Sequence, residues 1–159
     1  MAINPNTDFS AGAILTASQQ NRFPRGIVAL TSSTTSSAAI GTTETVMLTA
    51  STFTAVANRY YKITYYEPVI QPSVTAPGYM TFRIRLTNTS GTVYQYTDVE
   101  PVAGGADGQI VAVQVITTLA AGSTVIVGTG KTSSQTFVAY GNAAVGATRQ
   151  IIVEDIGPA

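Results

Sequence analysis

The 159-residue chain contains no cysteine, no histidine and no tryptophan. Without thiols it can form neither disulfides nor thiolate metal sites. Without imidazole, mechanisms of the Ser-His-Asp or Cys-His type are excluded, together with the side chain that most often moves protons near neutral pH. Charge is scarce as well. Eight basic and eight acidic residues make up 10% of the chain, against roughly 25% in an ordinary soluble domain. Because the two signs cancel, nothing draws the protein electrostatically to nucleic acid or to an anionic membrane, and neither is expected as a partner. No apolar run reaches the ~18 to 20 residues of a membrane-spanning helix. The opening Met1-Ala2-Ile3-Asn4-Pro5-Asn6 lacks the basic and apolar regions of a secretory signal, so signal-directed export is not expected.

The polar surface must therefore be built from serine, threonine, asparagine and glutamine. A mean hydropathy of +0.23 with so few charges protects poorly against association, so other subunits are expected to cover part of the surface. The size suits one self-sufficient domain. Alternation of apolar and polar residues is clearest over residues 79–88, where Met80, Phe82, Ile84 and Leu86 share one face and Thr81, Arg83 and Arg85 the other. This is the pattern of a half-buried antiparallel strand, expected to be central, and a turn at Asn88-Thr89-Ser90-Gly91 pairs it with a strand over 92–98.

Further strands are expected over 26–31, 44–49 (with continuation to 54), 59–67, 109–118, 123–129, 135–141 and 148–156. In the third, Tyr61, Ile63 and Tyr65 share a face. Prolines in 68–78 and glycines in 99–108 mark two long loops. The Val- and Ile-rich stretch 109–118 reads as a strand buried on both faces. The sum is an all-β, antiparallel sandwich or jelly-roll-like domain of about nine strands, spanning 26–159.

Residues 1–25 read differently. Phe9, Ile14, Leu15 and Phe23 are apolar anchors without a strand period, a helical turn with Thr16 or Ser18 as N-cap fits between them, and Phe23-Pro24-Arg25-Gly26 ends the segment. Such a stretch has too little apolar area to fold alone and suits a docking arm.

Few residues suggest chemistry. Gly128-Thr129-Gly130-Lys131-Thr132 imitates the end of a phosphate-binding loop, but Val125 stands where the pattern needs its first glycine and a strand follows where a helix should begin, so a turn between strands is expected. Asp98, Glu100 and Asp107 flank a glycine-rich loop without calcium-loop spacing. Glu154 and Asp155 are adjacent in a strand and point to opposite faces, so they cannot act as an acid-base pair. Arg83 and Arg85 are expected to pair with Glu44, Glu67 or Glu100 across strands. Tyr60, Tyr66, Tyr94 and Tyr96 are candidates for a subunit interface, because tyrosine offers large rigid area at low entropic cost. No catalytic residue, cofactor or metal site is expected, and the chain does not read as an enzyme.

Three segments carry a resemblance. Phe9-Ser10-Ala11-Gly12-Ala13-Ile14-Leu15-Thr16-Ala17, continued by Asn21 to Ala29, resembles the opening of a set of small tailed-bacteriophage virion proteins. Asn58-Arg59-Tyr60-Tyr61-Lys62-Ile63-Thr64 is similar to an interior strand of theirs, and Ile151-Ile152-Val153-Glu154-Asp155-Ile156-Gly157-Pro158 to their ending. Gln20 stands where that set often has an apolar residue. The resemblance implies a structural part of a phage particle, either a capsid decoration (cement) protein or a minor tail or fibre component. It implies a homotrimer that docks through Phe9, Ile14, Leu15, Phe23 and Arg25 onto major capsid or tail proteins and resides in the virion. The alternative is a receptor- or glycan-binding module of a tail fibre.

Overall fold

The computed structural model describes residues 12, 14, 16–73, 78–100 and 108–159. Within them lie a one-turn helix α1 (Ala17–Gln20), a 3-10 turn (Ala143–Val145) and eleven strands. Eight strands build the frame: β1 (Gly26–Ser33), β2 (Thr45–Thr49), β4 (Arg59–Pro72), β5 (Met80–Leu86), β6 (Val93–Val99), β7 (Gln109–Thr118), β9 (Ile126–Thr132) and β11 (Arg149–Pro158). The short β3 (Phe53–Ala55) and β8 (Gly122–Thr124) pair with each other, and β10 (Phe137–Ala139) pairs with the end of β4.

One sheet runs β1-β11-β4 with β7 on the far edge of β4, and the second runs β2-β9-β5-β6. The frame therefore closes like one long hairpin folded over: β1 with β11, β2 with β9, β4 with β7 and β5 with β6, every pair antiparallel. Two four-stranded sheets of this connectivity define a jelly roll, as the sequence patterning indicates. Ile63, Tyr65, Ile151, Val153 and Val113 of one sheet face Met80, Phe82, Ile84, Ile126 and Leu48 of the other in a single buried core. Phe137 meets Phe82 with ring centroids 5.3 Å apart.

Several expected boundaries move. Residues 44–54 do not form one strand: β2 ends at Thr49 and β3 pairs with β8. Residues 123–129 likewise divide between β8 and β9, which continues to Thr132. β4 runs through Pro68 to Pro72 rather than ending at Glu67. The ladder to β7 shifts register between Glu67 and Ile70, which absorbs the proline's missing donor. β5 is an inner strand, but the hub of the molecule is β4, flanked by β11 and β7. β7 is not buried on both faces: Ile110 and Ile116 are 67% and 58% exposed. Its Val and Ile content reflects β propensity at a sheet edge rather than double burial.

The inner faces of β4 and β11 end in charge. Arg59 and Glu67 bracket Tyr61, Ile63 and Tyr65 on β4, while Arg149 and Asp155 bracket Ile151 and Val153 on β11. Antiparallel register brings Arg59 to Asp155 at one end and Glu67 to Arg149 at the other. The opposite strand direction would pair like charges, and a slip of one residue in either strand would turn its two charges out of the core and leave the other two buried without partners. Buried pairs of this kind add little net stability but penalise the wrong pairing heavily.

Candidate assembly site at the root of the N-terminal arm

Thr16 caps α1 through a capping box with Gln19: its Oγ1 accepts from the Gln19 amide at 3.2 Å, and its amide donates to Gln19 Oε1 at 2.9 Å. Ser18 is inside the helix, so of the two candidates Thr16 is the cap. Beyond the turn, Gly26 takes a φ of 76° at the start of β1, a left-handed conformation that costs glycine little. There the chain passes from arm to sandwich.

Arg59 fastens that junction. Its Nε and Nη2 donate to the two oxygens of Asp155 at 2.5 and 2.7 Å. Its remaining donors reach back to the arm, Nη1 to the Asn21 carbonyl at 2.5 Å and Nη2 to the Phe23 carbonyl at 2.6 Å. Asp155 also accepts from the Gly157 amide at 3.0 Å, and its own carbonyl accepts from the Arg25 amide at 3.1 Å. Both side chains of the pair are at most 5% exposed. A forked guanidinium satisfying a carboxylate and two carbonyls together is a geometry lysine cannot provide.

The three segments that carry the resemblance thus meet at one place. The Asn21 to Ala29 segment supplies the carbonyls and β1, the Arg59 to Thr64 segment the cation, and the Ile151 to Pro158 segment the anion. Of the expected docking residues, Ile14 is 91% exposed, Phe23 39% and the Arg25 side chain 48%, with Arg25 Nε 3.9 Å from Asp155. Phe9 and Leu15 lie outside the described residues. Arg59 and Asp155 were not anticipated as partners, although Arg59 has the same odd-numbered parity as Tyr61, Ile63 and Tyr65.

The other polar clusters are structural. Arg149 holds Glu67 at 2.6 and 2.9 Å and crosses to the second sheet through the Met47 carbonyl at 3.1 Å. Tyr65 Oη donates to Glu67 at 2.7 Å. Burial, together with the charge of Glu67 and that hydrogen bond, pushes the Tyr65 phenol well above its usual range. Burial opposes the charge on Arg149, but Glu67 more than compensates and raises its pKa. Arg83 and Arg85 both choose Glu44, at 2.6 Å each, where Thr129 Oγ1 also donates at 2.5 Å. Burial works to raise the Glu44 pKa, yet the Arg85 hydrogen bond, Thr129 and the two guanidinium charges win and lower it.

The phosphate-loop imitation is neither loop nor turn, since it lies within β9. Its glycines are packing residues: a Cβ on Gly128 would stand 2.6 Å from the Tyr65 ring, and one on Gly130 would run into Met47. Asp98 accepts from Thr81 at 2.6 Å, and Asp107 lies outside the described residues. Among the described residues no group of three or more acidic side chains is placed to hold a metal ion, and no helix is long and apolar enough to cross a membrane. Glu154 pairs outward with Lys62 at 2.9 Å while Asp155 points inward, as their adjacency requires. The four tyrosines do not form one patch. Tyr60 and Tyr66 sit half-buried in β4; on β6 of the other sheet Tyr94 packs on the core, its phenol raised by burial, and Tyr96 is 59% exposed.

The sequence profile described as "Domain of unknown function (DUF7298)" matches residues 10–75, from the arm to just past the end of β4. No curated protein matches the chain. Among solved structures, the chain is similar to CsCBM6-3 from Clostridium stercorarium, determined in complex with cellobiose, at 16% identity and a TM-score of 0.33, covering 77% of this chain and 76% of that one. It is also similar to a chain of infectious bursal disease virus Gx strain, at 15% identity and a TM-score of 0.41, covering 86% of this chain but only 35% of that one. At these scores the jelly-roll assignment rests on strand order alone.

Proposed function

We propose that the protein is a structural component of a bacteriophage virion, a capsid decoration or minor tail protein that docks by its N-terminal arm and assembles with copies of itself. The observation that carries this reading is the convergence at Arg59 and Asp155 of the three segments that resemble phage virion proteins. A scaffold that spends a buried ion pair on holding the root of a segment whose described residues are mostly exposed is organised to present that segment. The low charge and the exposed Ile14 suit burial against a neighbour rather than life as a solitary domain. The role is architectural and not catalytic.

Cryo-electron microscopy of particles carrying a tagged copy tests it. Density for the jelly roll on heads or tails, with the arm entering the adjoining protein, is the expected result. Particles that lack the protein, or that hold it by its loops with the arm free, contradict the proposal.

A further inference from the structure

The four sheet edges are not equally guarded. β1 carries a register break between Ile27 and Ala29, β2 one between Val46 and Leu48, and β6 one between Val93 and Gln95 together with the charge of Asp98. Breaks and charges of this sort are how sandwiches prevent edge-to-edge pairing. β7 has its break at its start, between Gln109 and Val111, and none along residues 111–118. It holds no charged residue, no proline and no glycine, its ladder to β4 is regular from Tyr60 to Glu67, and β4 is its strand partner among the described residues.

Its sequence is also nearly palindromic. Ile110-Val111-Ala112-Val113-Gln114-Val115-Ile116 reads the same in both directions about Val113, apart from Ala112 against Gln114. Two antiparallel copies related by a two-fold axis at Val113 would set Val111 opposite Val115 and Val113 opposite itself on the inner face. On the outer face Ile110 would meet Ile116, and Ala112 would meet Gln114. The two isoleucines left exposed in one copy, at 67% and 58%, thereby cover each other. A strand whose inward and outward patterns both survive reversal suits itself better than any unrelated segment.

We infer that β7 is a self-pairing edge, at which a second copy of this chain joins antiparallel about a two-fold axis through Val113 and merges the two β1-β11-β4-β7 sheets. This deepens the proposed self-association by giving it a surface and an even-numbered symmetry, in place of the homotrimer that the resemblance to phage virion proteins implies. It does not depend on the arm, whose root leads into β1 at the other edge of that sheet.

The native chain has no cysteine, so introduced thiols report without background. An equimolar mixture of Ala112→Cys and Gln114→Cys proteins, oxidised after mixing, is expected to give mainly the mixed disulfide dimer, while Thr118→Cys gives little. Light scattering should find the native protein at about twice the 16.5 kDa chain mass or an even multiple of it, and Ile110→Lys/Ile116→Lys at half the native value with an unchanged circular dichroism spectrum. A native monomer or trimer, a double variant of native mass, or crosslinking no greater at 112 and 114 than at 118 would overturn the inference. None of those results touches arm docking, which fails only if the arm proves dispensable on particles. If the double variant does not fold, the crosslinking result decides alone.

Discussion

Arg59 makes four hydrogen bonds with one guanidinium, two to Asp155 and two to the arm. Replacing it by alanine strands a carboxylate that is 1% exposed, a loss of about 3–5 kcal/mol. Urea unfolding is expected to show a fall of that order, with Arg59→Lys between the two because it keeps the charge and loses the fork. Gly128→Ala places a methyl group 2.6 Å from the Tyr65 ring and should cost about 1–3 kcal/mol. The penalty should shrink in a Tyr65→Leu background, a coupling that a double-mutant cycle reads directly. Glu44 has a lowered carboxyl pKa in the folded protein, so its contribution is present above the usual carboxylate value and is lost as pH falls through the folded one. Thermal unfolding midpoints followed downward from pH 6 should therefore drop in the native protein, and the Glu44→Gln profile should be flatter below about 4.5. The inward set Tyr61, Ile63 and Tyr65 was legible from alternation alone. Arg59 and Glu67 have the same parity and were not recognised as inward, because charge at a strand end ordinarily lies on a solvated rim and the facing charges sit 96 and 82 residues away in sequence.

Among the elements, those whose periodicity meets a single environment could be read from sequence. β5 pairs with β6 across the expected turn and keeps Met80, Phe82 and Ile84 in the core, although Thr81, expected on the wet face, is buried too, and Arg83 and Arg85 do find Glu44. Boundaries failed where tertiary pairing overrode local punctuation: Pro68 sits inside β4 because of a bulge, and β3 and β8 exist because each completes the other. β7 misled for a physical reason as well, since Val and Ile mark strands whether their second face is covered or open. The arm is an element of its own in energetic terms. Removing residues 1–20 leaves every acceptor of Arg59 in place, so the urea midpoint should move little. Removing residues 1–25 also takes the Asn21 and Phe23 carbonyls from a buried guanidinium, with an expected loss of about 1–3 kcal/mol. Comparing the two truncations by equilibrium unfolding separates the fastened root from the residues before it.

For the whole molecule, one design accounts for its main features. A jelly roll with little charge, two buried ion pairs that dictate how β4 and β11 meet, and an arm bolted at its root by Arg59 make up the molecule. On the proposed reading, its value lies in where the block is placed and what it holds. The most direct test is the copy number of the protein in purified virions assembled with the native chain and with the variant lacking residues 1–20, counted by quantitative mass spectrometry. Abundant native protein with the truncated but folded variant reduced at least tenfold is the predicted result. Equal copy numbers for the two would contradict the account.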